Sequence, residues 1–304
     1  MNRIKRFIKK HKYLFLFIQN TILPFREFYL KYLISDEKLL KKLYKKKLGK
    51  ELNLKNPKTF NEKLQYLKLV QKDEKFSILS DKYRVREYVK EKIGEDYLIP
   101  LLWHGENPKD IPWEKLPNKF VIKTNHDSGS AIIVTDKKKI DKKWVEKELK
   151  YRLKVNYYLK GREYNYKNIP KKIIIEKLLG ENINDYKFFC FDGIPKFMFI
   201  ATDRGNLSKG GTKFDFYDLN MNRIKVKQHY PNSTYKFKID EDFYKMIELA
   251  KKLSQDFKHV RVDFYKINNQ IFFGEMTFYH FSGFEKFEPE KYDRIFGEYI
   301  KLGD

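Results

Sequence analysis

Apolar residues change their spacing several times along the chain, and each change predicts a different element. The first fifty-odd residues, ending in "KKLYKKKLGKELNLKNPKTF", read as helical and strongly basic. Thr59 followed by Glu62 is a capping-box signature, in which each side chain satisfies the other residue's backbone N–H; a helix is predicted from there towards Val70. "LSDKYRVREYVKEKIGEDYLIP" predicts a second helix stopping at Gly94, then a strand-like entry into Pro100. Strand signals follow. "KFVIK" and "AIIVT" flank the polar stretch "TNHDSGS", a helix covers about 141 to 155, and "KKIIIEKLL" is a buried strand. "YKFFCFDGIPKFMFIA" predicts a hairpin about Asp-Gly, residues that accept the positive φ of a tight turn. "DEDFYKMIELAKKLSQDF" is an amphipathic helix, "VRVDFYKINNQIFFGEMTF" (260 to 278) a second hairpin, and a C-terminal helix closes the chain. Antiparallel strands mixed with helices indicate an α+β fold, not a doubly wound parallel sheet. No internal repeat or long low-complexity linker interrupts it.

The second hairpin carries candidate chemistry. A three-residue turn at Asn268 to Gln270 would set Asp263 opposite Glu275, with Arg261 and Thr277 on the same face because side chains alternate. A two-residue turn would break that register unless a bulge intervened, and Gly274 is placed to supply one. Opposed Cβ atoms lie about 4.5 to 5.5 Å apart, so two carboxylates there repel without a cation between them. Mg²⁺ suits such a pair, since it takes oxygen ligands, one or two carboxylates and substrate phosphates. The plainer alternative is a hairpin with its polar face in water.

Three other stretches carry a candidate signal beside a plainer reading. Thr124 to Ser130 brings hydroxyls, a glycine and backbone donors between two apolar runs, and Lys123 sits at its base. Such a loop can fold over phosphates, though it is not a P-loop, because the Lys precedes it and no helix follows at once. The alternative is a surface hairpin loop. "IIIEKLLG" ends a buried strand in Glu176-Lys177 and by itself reads as core. Asp240-Glu241-Asp242 matches the Asp-x-Asp of sugar-nucleotide transferases, but it opens a helix, where acids favour the dipole, so capping explains it better.

Composition narrows the partners. With 304 residues, 41% hydrophobic and 17% aromatic, the chain can bury a core in one large or two modest domains. Lys and Arg number 65 against 41 Asp and Glu, giving +24, which favours polyanions: nucleotides, acidic saccharides or an anionic membrane. A lysine-rich surface without one partner is the alternative. Lys greatly outnumbers Arg, so no specific nucleic-acid reader is expected. The single Cys190 excludes an intramolecular disulfide and a Cys-cluster metal site, and the six His show no metal-ligand spacing. "MNRIKRFIKKHKYLFLFIQNTILPF" imitates a signal peptide, but its longest apolar run, Tyr13 to Ile18, is too short to span a bilayer and no cleavage motif follows. The expectation is a cytoplasmic protein whose first helix, residues 1 to 20, either lies on an anionic membrane face or packs on the body.

The order of these signals is more specific than any one of them. "NPKTFNEKLQYLKL", "DKYRVREYVKEKIGEDYLIPLL", "KFVIKTNHDSG", "DYKFFCFDGIPKF" and "VRVDFYKINNQIFFGEMTFYHFSGF" resemble the TupA-like ATP-grasp family, from about residue 35 to the C-terminus. The resemblance implies a carboxylate-amine ligase fold, with ATP held between two antiparallel sheets. The chain's own pattern gives a basic helical segment at 1–55, and the resemblance implies an ATP-grasp domain at 56–304, with a small nucleotide-covering lobe about 115–178 and a metal-binding lobe about 179–304. Lys82 and Lys123 match the phosphate-contacting lysines, and Ser128, Gly129 and Ser130 the covering loop. Glu176, with the backbone of Lys177, Leu178 and Leu179, matches the adenine-binding hinge. Asp263 and Glu275 match the Mg²⁺ ligands, Thr277 stands where many ATP-grasp enzymes carry a metal-binding Asn, and Arg261 matches the arginine that stabilises the reacting carboxylate. Asp127 replaces the first Gly of the family's Asn-His-Gly-Ser-Gly loop, and "FYHFSG" replaces its Thr-Pro-Gly-Ser-Gly run. The first puts the loop's closeness to phosphate in question; the second alters the acceptor side. The implied reaction joins a uronic acid or peptide carboxylate of a cell-surface polymer to an amine such as an amino acid, using ATP and Mg²⁺. Its rivals are a glycosyltransferase of polysaccharide biosynthesis and a non-catalytic binder of nucleic acid or membrane.

Overall fold

The computed structural model describes residues 11–204 and 210–303. Its helices are α1 (Lys12–Phe28), α2 (Asp36–Leu48), α3 (Phe60–Val70), α4 (Glu74–Ser80), α5 (Val85–Ile93), α6 (Lys142–Lys154), α7 (Tyr158–Gly161), α8 (Glu241–Ser254) and α9 (Lys291–Gly297). The capping box at the start of α3 is formed: Thr59 accepts from the Glu62 N–H, and Glu62 accepts from the Thr59 N–H. No helix among the described residues is long and apolar enough to cross a membrane.

Two antiparallel sheets make up the body. The smaller joins β1 (Leu101–Gly105), β2 (Phe120–Thr124), β3 (Ile132–Val134) and β4 (Ile173–Lys177) in the order β1-β4-β2-β3. The larger runs β11-β10-β5-β6-β7-β8, from β5 (Asp185–Phe191), β6 (Ile194–Thr202), β7 (Lys213–Asp218), β8 (Arg223–Ile224), β10 (Val260–Ile267) and β11 (Gln270–Thr277). Short strands β9 (Lys227–Gln228) and β12 (Phe287–Glu288) pair separately. The fold is α+β, with a basic helical segment ahead of the sheets. Each sheet has its own apolar core. Phe120, Ile122, Ile173 and Ile175 of the smaller sheet bury against Val145 and Leu149 of α6. Phe188, Val262 and Phe264 of the larger bury against Met246, Leu249 and Leu253 of α8. The smaller sheet includes β1, upstream of the span from about 115 expected for that lobe.

The helix expected to run from Leu79 to Gly94 is broken. The Asp81 carboxylate accepts from the backbone N–H of Tyr83 and Arg84, and the Lys82 N–H donates to Asn125 O at 3.2 Å. These bonds take backbone groups that a continuous helix would need, so α4 ends at Ser80 and α5 begins at Val85. Gly94 does stop α5, at φ +108. The strand expected to lead into Pro100 begins after it, and β7, "KFDFYD", was not foreseen.

The β10–β11 register is reached by the second of the two routes. The turn has two residues, Asn268 and Asn269, both at positive φ (49° and 59°), and Ile267 pairs with Gln270. A bulge at Gly274 then shifts the pairing by one, and Asp263 faces Glu275. A Cβ on Gly274 would sit 3.1 Å from the Asp263 carbonyl oxygen, which accounts for glycine in the bulge.

Candidate active site

Three neighbouring strands supply one polar face in an otherwise aromatic sheet. Register pairs Arg261 with Thr277 and Phe189, Asp263 with Glu275 and Lys187, and Tyr265 with Asp185. The Arg261 guanidinium lies at the centre. Its Nε and Nη2 each donate to an Asp263 oxygen at 2.7 Å, and Nη2 also donates to Glu275 Oε1 and Thr277 Oγ1, both at 3.0 Å. The Thr277 hydroxyl donates to Glu275 Oε1 at 3.1 Å. Lys187 donates to Asp263 from the other side and lies 3.3 Å from Asp185, which in turn pairs with Arg204. The cations between the carboxylates are therefore Arg261 and Lys187.

Burial sets the electrostatics of this cluster. It raises the proton affinity of the buried Asp263, against the opposite pull of Arg261 and Lys187 beside it. Burial pushes Glu275 the same way, but Lys187, Arg261 and Lys82 outweigh it and hold its pKa at about 2. That Lys82 acts on Glu275 puts the lysine between α4 and α5 within electrostatic reach of the larger sheet's carboxylate. His280 closes the far side. Burial first, then Arg261, drives its pKa well below the usual value. Arg261 can only donate, so His280 Nδ1 accepts from Nη1 (2.5 Å), and Nε2–H donates to Gln228 Oε1 at 2.7 Å.

The opposite wall comes from Lys82, in the break between α4 and α5, and from the loop that follows β2. Lys82 Nζ donates to Thr124 O at 3.1 Å and to Asp127 O, and burial lowers its pKa. Asn125 pins the loop base: its Nδ2 donates to Asp81 and to Pro170 O, each at 2.8 Å, and its Oδ1 accepts from the Lys172 N–H at 2.7 Å. Ser130 is buried, with its hydroxyl accepting from the Thr124 N–H, while Ser128 and Gly129 form the exposed tip. Gly129 has φ +78, a conformation that an L-residue with a Cβ rarely adopts. The Asp127 carboxylate lies 3.8 Å from both Lys82 and Arg152, so it is drawn down beside the loop base.

Lys123 and Glu176 are brought together, not apart. Lys123 Nζ donates to Glu176 Oε2 at 2.6 Å, and Arg86 lies 3.5 Å from Oε1. The Glu176 side chain is thus buried and already engaged, and the Lys177 N–H donates to Pro100 O. Lys177 is exposed, with Leu178 and Leu179 half-buried beyond it. The Asp240-Glu241-Asp242 run caps α8: Asp240 accepts from the Phe243 N–H, and Asp242 pairs with Lys266. Sequence reasoning passed over Lys187, His280 and Arg86. Lys187 had a signal, since a lysine two residues from Asp185 shares its face in an otherwise apolar strand.

The face fits Mg²⁺ by donor type: two carboxylates and a hydroxyl, all oxygen. Glu275 is the readiest of them, with a side chain 43% exposed and contacts made only through Oε1. Asp263 is fully engaged by Arg261 and Lys187. No group of three or more His, Cys, Asp or Glu among the described residues makes a metal centre of protein ligands alone.

A family model for TupA-like ATP-grasp proteins matches residues 62–301, most of the chain. The chain belongs to the TupA-like ATP-grasp family. Solved structures that match include D-alanine–D-alanine ligase from Bacillus anthracis in complex with ATP (16% identity, 66% of this chain and 55% of that one, TM-score 0.37). The Helicobacter pylori D-alanine–D-alanine ligase matches at 19% identity, 71% and 61% coverage, and TM-score 0.38. The ATP-grasp ligase PsnB, in complex with a precursor variant, Mg and ADP, matches at 10% identity, 71% and 57% coverage, and TM-score 0.39. The chain thus spans about three fifths or less of these ligases, and at such scores the likeness carries no argument about activity. No curated protein matches.

Proposed function

We propose that this ATP-grasp protein is an ATP-dependent ligase that joins a carboxylate to an amine through an acyl phosphate. The observation that carries the proposal is the Arg261–Asp263–Glu275–Thr277 face, set within electrostatic reach of Lys82, which donates to the loop at Thr124 O and Asp127 O. A carboxylate oxygen attacks the γ-phosphorus of ATP and ADP leaves. The amine nitrogen then attacks the acyl carbon, phosphate departs, and the nitrogen loses a proton to give the amide.

The chain's own residues act by charge and position, which dominate phosphoryl transfer. Lys82 and Lys123 draw the phosphates under the loop, and donors at Ser128, Gly129 and Ser130 cover them. Glu176 orients Lys123, and the backbone of Lys177, Leu178 and Leu179 receives the adenine. Arg261 binds the reacting carboxylate and its developing charge. Mg²⁺ held by Glu275, Thr277 and Asp263 would neutralise phosphate oxygens. The acid is a uronic acid or peptide carboxylate of a cell-surface polymer, the amine an amino acid, and the work is cytoplasmic polysaccharide biosynthesis; the basic surface suits an anionic substrate.

The test is ADP release from purified protein, ATP and Mg²⁺ with a panel of uronic acids, peptides and amino acids. ADP that rises only when acid and amine are both present supports the ligase. Consumption of a UDP-sugar with no nucleotide hydrolysis refutes it.

A further inference from the structure

α1 presents two unlike faces. Leu16 and Leu23 are buried, and the helix is held to the body by Lys12 to Asp141 (2.7 Å) and by Glu27, which accepts from the Asn156 N–H at 2.7 Å. Leu14, Phe15, Phe17, Ile18, Ile22, Phe25 and Phe28 are all exposed, Phe17 by 69% and Phe25 by 77%. At about 100° per residue, these seven occupy one continuous sector of roughly 160°, opposite Leu16 and Leu23. Tyr29, Tyr32 and Leu33, in the π-helical turn that continues α1, extend the exposed apolar stretch.

An apolar surface of this length is not an ordinary feature of a protein exposed only to water. Arg26 on the helix borders it, Lys31 lies in its continuation, and the sequence just before the helix is rich in basic residues: Arg3, Lys5, Arg6, Lys9 and Lys10. We propose that α1 and its continuation to Leu33 dock in the plane of an anionic lipid bilayer, aromatic side chains inward and basic residues at the headgroups. A second copy of the chain fits the face less well, because pairing two such helices would bring their basic borders together in a protein already at +24. α1 borders a cavity of about 380 Å³ whose lining includes Lys12 and Gln19, Phe15 at the edge of the exposed sector, and Asp127, Ser128 and Gly129. Docking would therefore hold the phosphate loop about one helix diameter, roughly 10 Å, from the lipid surface.

The test uses the full chain and cosedimentation with vesicles of phosphatidylcholine, alone or mixed with phosphatidylglycerol. Wild-type protein is expected to pellet with the anionic vesicles, to be released by high salt, and to stay in solution with the neutral ones. The double variant Phe17→Glu/Phe25→Glu alters only exposed positions and should bind at least about tenfold more weakly, with an unchanged circular dichroism spectrum. Failure of the wild-type protein to bind anionic vesicles, equal binding by the variant, or equal binding to neutral vesicles would overturn the proposal. So would light scattering showing a wild-type dimer that the substitutions dissociate. None of these readouts depends on ATP turnover.

Discussion

Replacing Asp263 by Asn keeps the side chain's shape and removes its charge, at a position only 1% exposed. Two cations lose their main counter-charge. Arg261 keeps one ion pair, to the half-exposed Glu275, and Lys187 keeps Asp185, which Arg204 already shares. Removing one partner of a buried ion pair costs about 3–5 kcal/mol, and the remaining acids favour the lower end, about 3 kcal/mol. For a chain of this size about 2 °C is lost per kcal/mol, so the thermal midpoint should fall by about 6 °C. The assay is thermal unfolding by intrinsic fluorescence, with urea denaturation giving the free energy. Adding Lys187→Met to Asp263→Asn removes one stranded charge and should recover about half of the loss, a coupling that the double-mutant cycle isolates. An Asp263→Asn midpoint within about 1 °C of wild type, or a double variant losing the sum of the two single effects, would refute this electrostatic account.

Glu275→Gln should behave in the opposite way: its side chain is half-exposed, so stability should change by less than about 1 kcal/mol while Mg·ATP turnover is abolished, read by ADP release. Lys123→Met retains the apolar stem and leaves Glu176 its Arg86 partner, so the strand should stay folded. Loss of a charge-assisted phosphate contact should lower kcat/KM for ATP by roughly 30- to 1000-fold; an unchanged value removes Lys123 from the site. Acid should destabilise the fold early. Burial lowers the pKa of His126 to about 4 and of His259 to about 3, so both are neutral in the native state and take up protons on unfolding below about 6.5. The unfolded chain binds more protons there. Stability is thus complete above about pH 6.5 and falls between there and about pH 4 by up to about 1.4 kcal/mol per pH unit for each histidine. Urea titrations across that range check the slope, and His259→Gln should make it shallower; a flat profile contradicts buried neutral histidines.

Much of this was legible in the chain because local rules decided it. The Thr59–Glu62 box, the Asp192-Gly193 turn, the stop at Gly94 and the capping role of Asp240 each depend on neighbours in sequence, and each is found. The facing of Asp263 and Glu275 was legible as well, but by the Gly274 bulge and not the three-residue turn. What the sequence hid was long-range. The break between α4 and α5 depends on Asn125, some forty residues away, drawing Asp81 and Lys82 into bonds with the loop. The pairing of Lys123 with Glu176 requires β2 and β4 to lie side by side. The roles of Lys187 and His280 require β5, β10 and the chain beyond β11 to converge on Arg261. In each case the partners are set by sheet order, which hydrophobic periodicity does not encode.

The central claim, that a carboxylate is activated as an acyl phosphate, is tested most directly by following oxygen. The experiment supplies Mg·ATP, an amine and a carboxylic acid labelled with heavy oxygen in both carboxyl positions, and analyses the released phosphate by mass spectrometry. Transfer through an acyl phosphate should carry one labelled oxygen into each phosphate, in step with ADP and amide formation, and the label should vanish with Glu275→Gln. Amide formed with unlabelled phosphate, or product formed with no ATP cleavage, would contradict the account.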